Sequence, residues 1–190
     1  MKKLTTLLFC VFMTILFLDN SYAQKLNVDA SKSTIVWTGK KILGEHTGTI
    51  KLKNGMLMIE DNKISNGSFA IDMRSIECTD LEGSGRDKLV GHLKSDDFFG
   101  VEKYPVATFK VKKSTAFKNN KATLTGNLTI KEKTNEISFE ITKNNNEYSA
   151  SIEVDRSKFD VRYGSDSFFD NLGDNVIYDI FNLEVNLSAN

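Results

Sequence analysis

Apolar and polar residues alternate along most of the chain that follows Pro105, its single proline. The apolar positions share one parity within each run: Ala107, Phe109 and Val111; Leu124, Leu128 and Ile130; Ile137, Phe139 and Ile141; Tyr148, Ala150, Ile152 and Val154; Phe181, Leu183, Val185 and Leu187. Successive side chains of a strand point to opposite faces, so this period of two predicts strands with one buried and one solvated face. Turns rich in Lys and Asn separate the runs, and residues 176–187 form the last predicted strand. An antiparallel, all-β fold is therefore expected.

The chain before residue 74 follows the same period. Strands are predicted at residues 33–39, 46–53, 56–59 and 64–73. Asn54-Gly55 carries the strongest short hairpin signal, because a type I′ turn requires positive φ at both of its central residues. Asp61-Asn62 is expected to form the next turn. This part of the chain therefore predicts a meander of about four strands.

A short helix is predicted after the fourth strand. Ser84 and Asp87 have the spacing of a capping box, and Gly100 is expected to end the helix. Leu89, Val90 and Leu93 form its apolar stripe. Phe98 and Phe99 follow, and we expect this pair to close one mouth of the fold. The alternative is that both rings only anchor the helix to a solid core.

Eight or nine such strands must bury their apolar faces against one another. A closed barrel and a two-sheet sandwich both achieve this, and a barrel also leaves no exposed edge. The period does not choose between them, nor does it say whether side chains fill the interior.

The amino terminus has the layout of a secretory signal peptide. Lys2 and Lys3 precede an apolar run at residues 7–18, and Ala23 follows at the expected cleavage point. The run is shorter than the roughly 20 residues of a membrane span. We therefore expect a signal peptide at residues 1–23, one domain at residues 24–190, a periplasmic or secreted location, and no stable membrane span after cleavage.

Charge and cysteine content exclude some classes of protein. The chain has 25 basic and 25 acidic side chains, a balance that gives no reason to expect nucleic-acid binding. Cleavage after Ala23 would leave Cys78 as the single cysteine, so no intramolecular disulfide is expected. The composition is compatible with a homodimer as well as with a monomer.

Three stretches resemble motifs of the YceI-like proteins. They are Gly91-His92-Leu93-Lys94-Ser95-Asp96-Asp97-Phe98-Phe99, continuing through Tyr104-Pro105 and Ala107-Thr108-Phe109; Leu124-Thr125-Gly126-Asn127-Leu128-Thr129-Ile130-Lys131; and Val154-Asp155-Arg156-Ser157-Lys158-Phe159. The resemblance implies a lipocalin-like barrel, exported from the cytoplasm, that binds a polyisoprenoid or isoprenoid-quinone-like lipid in its lumen. Residues 165–173 depart from the family pattern. They repeat the Ser-Asp-x-Phe-Phe order of residues 95–99, and we expect them to form a second helical lid before the last strand.

An isoprenoid chain offers almost no hydrogen bonds, so its pocket should be an apolar tube. The residues expected to line the tube and its lids are Trp37, Phe69, Ile71, Phe98, Phe99, Phe109, Leu128, Ile130, Phe139, Ile141, Ile152, Phe168, Phe169 and Phe181. Each buried CH₂ contributes about 0.8 kcal/mol, so a few five-carbon units suffice for binding. The alternative is that these residues fill a solid core.

The candidates for chemistry are few, and we expect no catalytic residue, metal or cofactor. His92 and Asp96 have the i, i+4 spacing of two metal ligands, but no third ligand lies nearby in the sequence. Arg156 is expected to form a surface ion pair with Asp160 or Asp166. The alternative is an internal ion pair or a contact with a polar head group of the ligand. Cys78 has no adjacent base and is expected to be an inert thiol.

The expected function is thus a non-catalytic carrier of an apolar lipid. A solid barrel that docks to a cell-envelope partner is the alternative. An isoprenoid-modifying enzyme would need a catalytic constellation that the sequence does not display.

Overall fold

The computed structural model describes residues 23–190, so the predicted signal peptide, apart from Ala23, lies outside the described residues. The elements in chain order are β1 (Gln24–Lys41), β2 (Gly44–Glu60), β3 (Lys63–Cys78), α1 (Gly83–Lys94), β4 (Val106–Ser114), β5 (Lys121–Ile130), β6 (Lys133–Asn144), β7 (Glu147–Asp155), a 3₁₀ helix (Arg156–Phe159), a second 3₁₀ helix (Gly173–Asn175) and β8 (Ile177–Ala189). The strands form a closed antiparallel barrel in the order β1 to β8, with β8 paired to β1. The expected all-β barrel of eight strands is confirmed.

The predicted hairpin at Asn54-Gly55 is wrong, because both residues lie inside the continuous strand β2. Neither residue has a positive φ. Gly55 pairs with Val28 on one side and with Phe69 on the other. A Cβ atom at Gly55 would lie 2.7 Å from Cδ1 of Phe69, so the glycine makes room for that ring. The chain turns instead at Ile42 and Leu43.

The helix consequently follows the third strand and not the fourth. Its N-cap is Glu82, which makes no side-chain capping hydrogen bond, so the predicted cap at Ser84 is wrong. The helix ends at Lys94 rather than at Gly100. Gly100 has a φ of 56° and donates its N–H to the Ser95 carbonyl at 2.7 Å, so it closes the turn that follows the helix.

The other predicted turns are confirmed, and several rely on residues that tolerate positive φ. Asp61 and Asn62 join β2 to β3 with φ values of 48° and 56°. Asn119 and Asn120 precede β5 with values of 49° and 64°. Asn residues enter this region at little cost because the short side chain can hydrogen-bond locally.

The two ends of the barrel differ. The closed end carries the β2–β3, β4–β5 and β6–β7 turns, and its interior is packed by Leu57, Ile64 and Tyr148. Phe117 seals this end from the loop before β5, where its backbone is hydrogen-bonded to Asn62. The opposite end, which we call the helix end, carries α1 and residues 156–176.

Within residues 23–190 no helix has the length and apolar character needed to cross a membrane.

The predicted second helical segment is reduced to the 3₁₀ turn Gly173–Asn175, immediately before β8. Residues 165–169 form a turn in which the Ser165 carbonyl accepts the N–H groups of Phe168 and Phe169. The Ser95 carbonyl accepts from Phe98 in the same way. The repeated sequence is therefore a repeated local turn.

Candidate ligand-binding cavity

The barrel encloses a cavity. Its volume is about 200 Å³, or about 1370 Å³ when all the space between the wall atoms is counted, including a part that is open to solvent. An apolar space of this order accepts apolar guests. The interior is thus not a filled core.

The cavity wall brings together the predicted lining residues from the whole barrel. It includes Trp37, Phe69, Ile71, Phe98, Phe99, Phe109, Leu128, Ile130, Phe139, Ile141, Ile152 and Phe181. Strand alternation places them there, since each lies on the inward parity of its strand or in the turn after α1. Phe109 contacts Phe69 and Phe139 at ring-centroid distances of 6.3 and 5.5 Å, which forms an aromatic band across the wall.

Phe168 and Phe169 do not reach the cavity, so the expectation that this pair lines a second lid is wrong. Their side chains are 38% and 49% exposed. The guanidinium carbon of Arg162 lies 5.0 Å from the Phe168 ring centroid, on the outside of the helix end. Ser165, the first residue of the same turn, is fully buried. The turn is repeated, but its surroundings direct the second aromatic pair outward.

The structure adds wall residues that the sequence reasoning did not select. They are Ile35, Gly39, Ile50, Leu52, Met73, Ile76, Leu93, Ala107, Leu124, Tyr148, Ser149, Ala150, Arg156, Ile177, Tyr178, Leu183, Val185 and Leu187. Most follow from the same parity, as Ile35 and Gly39 do beside Trp37, so the pattern could have found them. Arg156 had no such signal, because a charged side chain is rarely found inside.

Arg156 is 2% exposed and ties residues 156–178 to the helix end, which corrects the predicted surface pair. Its N–H groups donate to four backbone carbonyls, those of Val161, Tyr163, Ile177 and Tyr178. Asp179 supplies the counter-charge at 3.3 Å. Burial lowers the pKa of Arg156 below its ordinary value, and the charge of Asp179 opposes this change.

The roof of the cavity is aromatic. Phe98 is 6% exposed and lies between the His92 ring, at 5.6 Å, and the Arg156 guanidinium, at 5.3 Å. Phe99 is only half-buried and contacts Phe181, a wall residue of β8, at 6.5 Å. Both rings line the cavity, but they differ in burial: Phe98 is buried between its neighbours, and Phe99 is half-buried.

His92 and Cys78, the side chains considered for chemistry, are held by contacts with their neighbours. His92 packs against the Tyr163 ring at 4.3 Å, and its Nε2 atom is buried without a hydrogen-bond partner. The Cys78 thiol donates to Asp80, and burial raises its pKa, which favours the unreactive protonated form. In residues 23–190 no three His, Cys, Asp or Glu side chains are placed to hold a metal ion.

Solved structures share this barrel. BcnA from Burkholderia cenocepacia superposes with a TM-score of 0.68 at 23% identity, covering 86% of this chain and 99% of that chain. A polyisoprenoid binding domain from Saccharophagus degradans, implicated in plant cell wall breakdown, gives a TM-score of 0.58 at 14% identity, covering 86% of this chain and 97% of that chain. At these identities the likeness establishes the shared fold.

The sequence itself identifies the family. No curated protein matches the chain. The model of the YceI-like domain, however, matches residues 26–189, from Leu26 in β1 to Ala189, the last residue of β8. The chain therefore belongs to the YceI-like family.

Proposed function

We propose that the protein is a non-catalytic carrier that holds an apolar, isoprenoid-type lipid in the cavity of its barrel. One observation carries the proposal: side chains of every strand surround an unfilled space whose wall is almost entirely hydrocarbon. The name of the Saccharophagus domain, which describes polyisoprenoid binding, and the shared family point to the same class of ligand.

The energetic cost of the cavity supports the proposal. An apolar cavity that is closed off from solvent and left unfilled costs about 24 cal/mol per Å³. Natural domains have only about 5–15 kcal/mol of net stability. A protein without a ligand would gain by filling the space with larger side chains. The solid-barrel alternative required such filling.

The affinity expected from the wall is sufficient for a carrier. Burial contributes about 0.8 kcal/mol per CH₂. A chain of three or four isoprene units would contribute about 12–16 kcal/mol, which leaves micromolar affinity, about 8 kcal/mol, when association costs about 4–8 kcal/mol, the lower part of its range. No polar wall group is required for this, since the gain scales with hydrocarbon area.

The packing of the titratable groups supports binding rather than catalysis. Cys78 is held as a protonated thiol, and the His92 ring is enclosed by aromatic rings. The proposal includes export, based on the layout of residues 1–23. Fractionation of cells that express the chain with and without these residues tests this part, and retention of both forms in the cytoplasm would contradict it.

Gly39 allows a direct test of the cavity. It lies in the wall, and a Cβ atom there would have no other atom within 4 Å. We expect Gly39→Phe to fold and to fill the space, while Gly39→Ala leaves it open. Native mass spectrometry of protein purified from its own host should show a bound lipid in the parent and in Gly39→Ala but not in Gly39→Phe. Lipid-free parent protein after mild extraction, or equal loading of Gly39→Phe, would refute the carrier function.

A further inference from the structure

Tyr148 places a polar atom with no partner in an otherwise apolar region. The residue is 1% exposed, lies in the cavity wall near the closed end, and pairs along the backbone with Leu187 of β8. Its hydroxyl is buried and has no hydrogen-bond partner in residues 23–190. A buried tyrosine hydroxyl normally has one, and leaving it unpaired costs as much as losing a hydrogen bond.

The neighbours of the ring cannot supply the missing partner. The Lys143 ammonium lies 6.0 Å from the ring centroid, over the ring face, and Phe117 packs at 6.4 Å. The adjacent wall residues Leu124, Ile141 and Leu187 are hydrocarbon. A water molecule would need two to four polar partners, and this wall does not offer them. Burial also raises the pKa of Tyr148, so its hydroxyl keeps the proton that it can donate.

We propose that the ligand carries an oxygen acceptor, a carbonyl or hydroxyl oxygen, on the part that reaches the closed end, and that Tyr148 donates its hydroxyl proton to it. This inference rests on the proposed carrier function and narrows its ligand class from plain hydrocarbon chains to oxygenated isoprenoids bound with the oxygen innermost. The apolar wall supplies affinity, and Tyr148 supplies the orientation.

Two matched probes test the inference. Farnesylacetone is an isoprenoid ketone, and its deoxygenated analogue carries CH₂ in place of the carbonyl. We expect the parent protein to bind the ketone about three- to tenfold more tightly, the range of a neutral hydrogen bond. Tyr148→Phe should bind the two probes equally and should unfold at no lower temperature than the parent. Tyr178→Phe is the control, because Tyr178 also lies in the wall but is 47% exposed, and it should keep the preference.

The outcomes separate the two proposals. Equal binding of both probes by the parent, or an unchanged preference in Tyr148→Phe, overturns the role of Tyr148 and leaves the carrier standing. Failure of the parent to bind either probe overturns the carrier function itself.

An independent observation concerns the seam between β6 and β7. These strands pair only at Thr142 with Ser149, Lys143 with Tyr148 and Asn144 with Glu147. From Thr142 and Ser149 toward the helix end, no backbone pairing joins β6 to β7 in the described part of the chain. At the helix end of the seam, the side-chain amide of Asn135 donates a hydrogen bond of 2.7 Å to the Lys158 carbonyl. A bounded slot therefore interrupts the ladder of an otherwise closed barrel.

At the slot, the cavity and a pocket on the outer surface share wall residues. A surface pocket of about 330 Å³ lies over it, between Glu140, Ser151 and Glu184. Ser149, Ala150 and Val185 line both this pocket and the cavity. Small side chains thus form the wall here, and the inward neighbours on both strands, Phe139 and Ile152, are apolar and only half-buried.

The geometry points to the β6–β7 seam as a lateral portal through which the hydrocarbon chain of the ligand enters and leaves. Unpaired strand edges are normally paired or covered, because they invite association. An edge that is left open beside an apolar cavity allows the strands to separate without breaking hydrogen bonds. This second inference also rests on the carrier function.

Crosslinking across the seam tests the portal. Glu140 and Ser151 would face each other if the β6–β7 register continued, so Glu140→Cys and Ser151→Cys can be joined by a short bifunctional methanethiosulfonate. Cys78 is 4% exposed and is protected from the reagent. The matched control joins Thr129→Cys to Thr134→Cys across the paired β5–β6 ladder. Each protein is loaded with a fluorescent farnesyl probe before crosslinking.

We expect the seam crosslink to slow transfer of the probe to lipid vesicles by about tenfold or more, as gating by a closed element does, and reduction of the linker to restore the rate. The control crosslink should leave the rate unchanged. An unchanged rate with the seam closed refutes the portal and assigns access to the helix end. Failure of the parent to load the probe refutes the carrier function instead.

Discussion

The guanidinium of Arg156 and the carboxylate of Asp179 lie 3.3 Å apart, with side-chain exposures of 2% and 12%. Four of the five N–H groups of the arginine donate to backbone carbonyls of residues 161–178. Arg156 therefore acts as a structural tie between the chain after β7 and the start of β8.

We expect Arg156→Met to destabilise the protein by about 3–5 kcal/mol, since it leaves a buried carboxylate and several carbonyls unpaired. Arg156→Lys should recover only part of this loss, because a lysine has three donors and no planar fork. Denaturant unfolding measures the change. Arg162→Met, which removes an exposed cation of the same loop, is the control and should cost less than about 1 kcal/mol. Equal effects at the two positions would show that Arg156 is not the tie.

Phe98 and Phe99 should separate stability from ligand retention. Phe98→Ala removes a ring that is 6% exposed and should cost about 3–5 kcal/mol. Phe99→Ala should cost clearly less, because its ring is half-buried, yet it should release bound lipid faster by opening the roof beside Phe181. Thermal unfolding and lipid retention per folded molecule measure the two effects. A large loss of stability in Phe99→Ala with unchanged retention would mean that both rings are only core.

Gly48 allows the indole of Trp37 to lie against β2. A Cβ atom at Gly48 would collide with the Glu77 carbonyl oxygen and lie 2.6 Å from the Trp37 ring. Trp37 donates its indole N–H to that same carbonyl at 3.1 Å. Gly48→Ala should therefore destabilise the fold by about 1–3 kcal/mol and shift the emission of Trp37, the single tryptophan. Gly39→Ala is the control and should change neither quantity; unchanged emission from Gly48→Ala would contradict the packing.

Asp80 should contribute a pH-dependent part of the stability. Burial tends to raise the pKa of this carboxyl, but hydrogen bonds from His46, the Thr47 N–H and the Cys78 thiol lower the pKa to about 2. A carboxyl with a depressed pKa in the folded state stabilises it at pH values above its ordinary value of 3.8, and this stabilisation is lost as the pH falls toward 2. We expect Asp80→Asn to lower stability at pH 6 and to flatten its dependence between pH 4 and 2. Parallel pH curves for the parent and the variant would show that Asp80 is not the responsible group.

Much of the fold could be read from the sequence because it depends on local periodicity. The face on which Phe109, Leu128 or Ile152 lies follows from its parity within a strand and does not depend on which strand is its neighbour. The turn at Asp61 and Asn62 was equally local. The motif around Phe98 and Phe99 also identified the family that the match over residues 26–189 establishes.

The errors arose where contacts between distant segments outweighed a local preference. Asn54-Gly55 has the composition of a turn, but pairing with Val28 and Phe69 keeps it extended. Phe168 and Phe169 repeat the turn of Phe98 and Phe99, yet their side chains are 38% and 49% exposed. Arg156 is buried because carbonyls from residues 161–178 surround it, and no local pattern encodes that arrangement.

The sequence by itself determined most of the strands, the faces they bury, the presence of a helix before β4 and the family. The tertiary structure alone decided that a space remains inside the barrel and that the β6–β7 ladder stops at Thr142 and Ser149. The physical reason is the range of the interactions. The face on which a residue lies is fixed by its neighbours in the sequence. A cavity and a seam depend instead on how the side chains and strands of the whole eight-stranded barrel pack together.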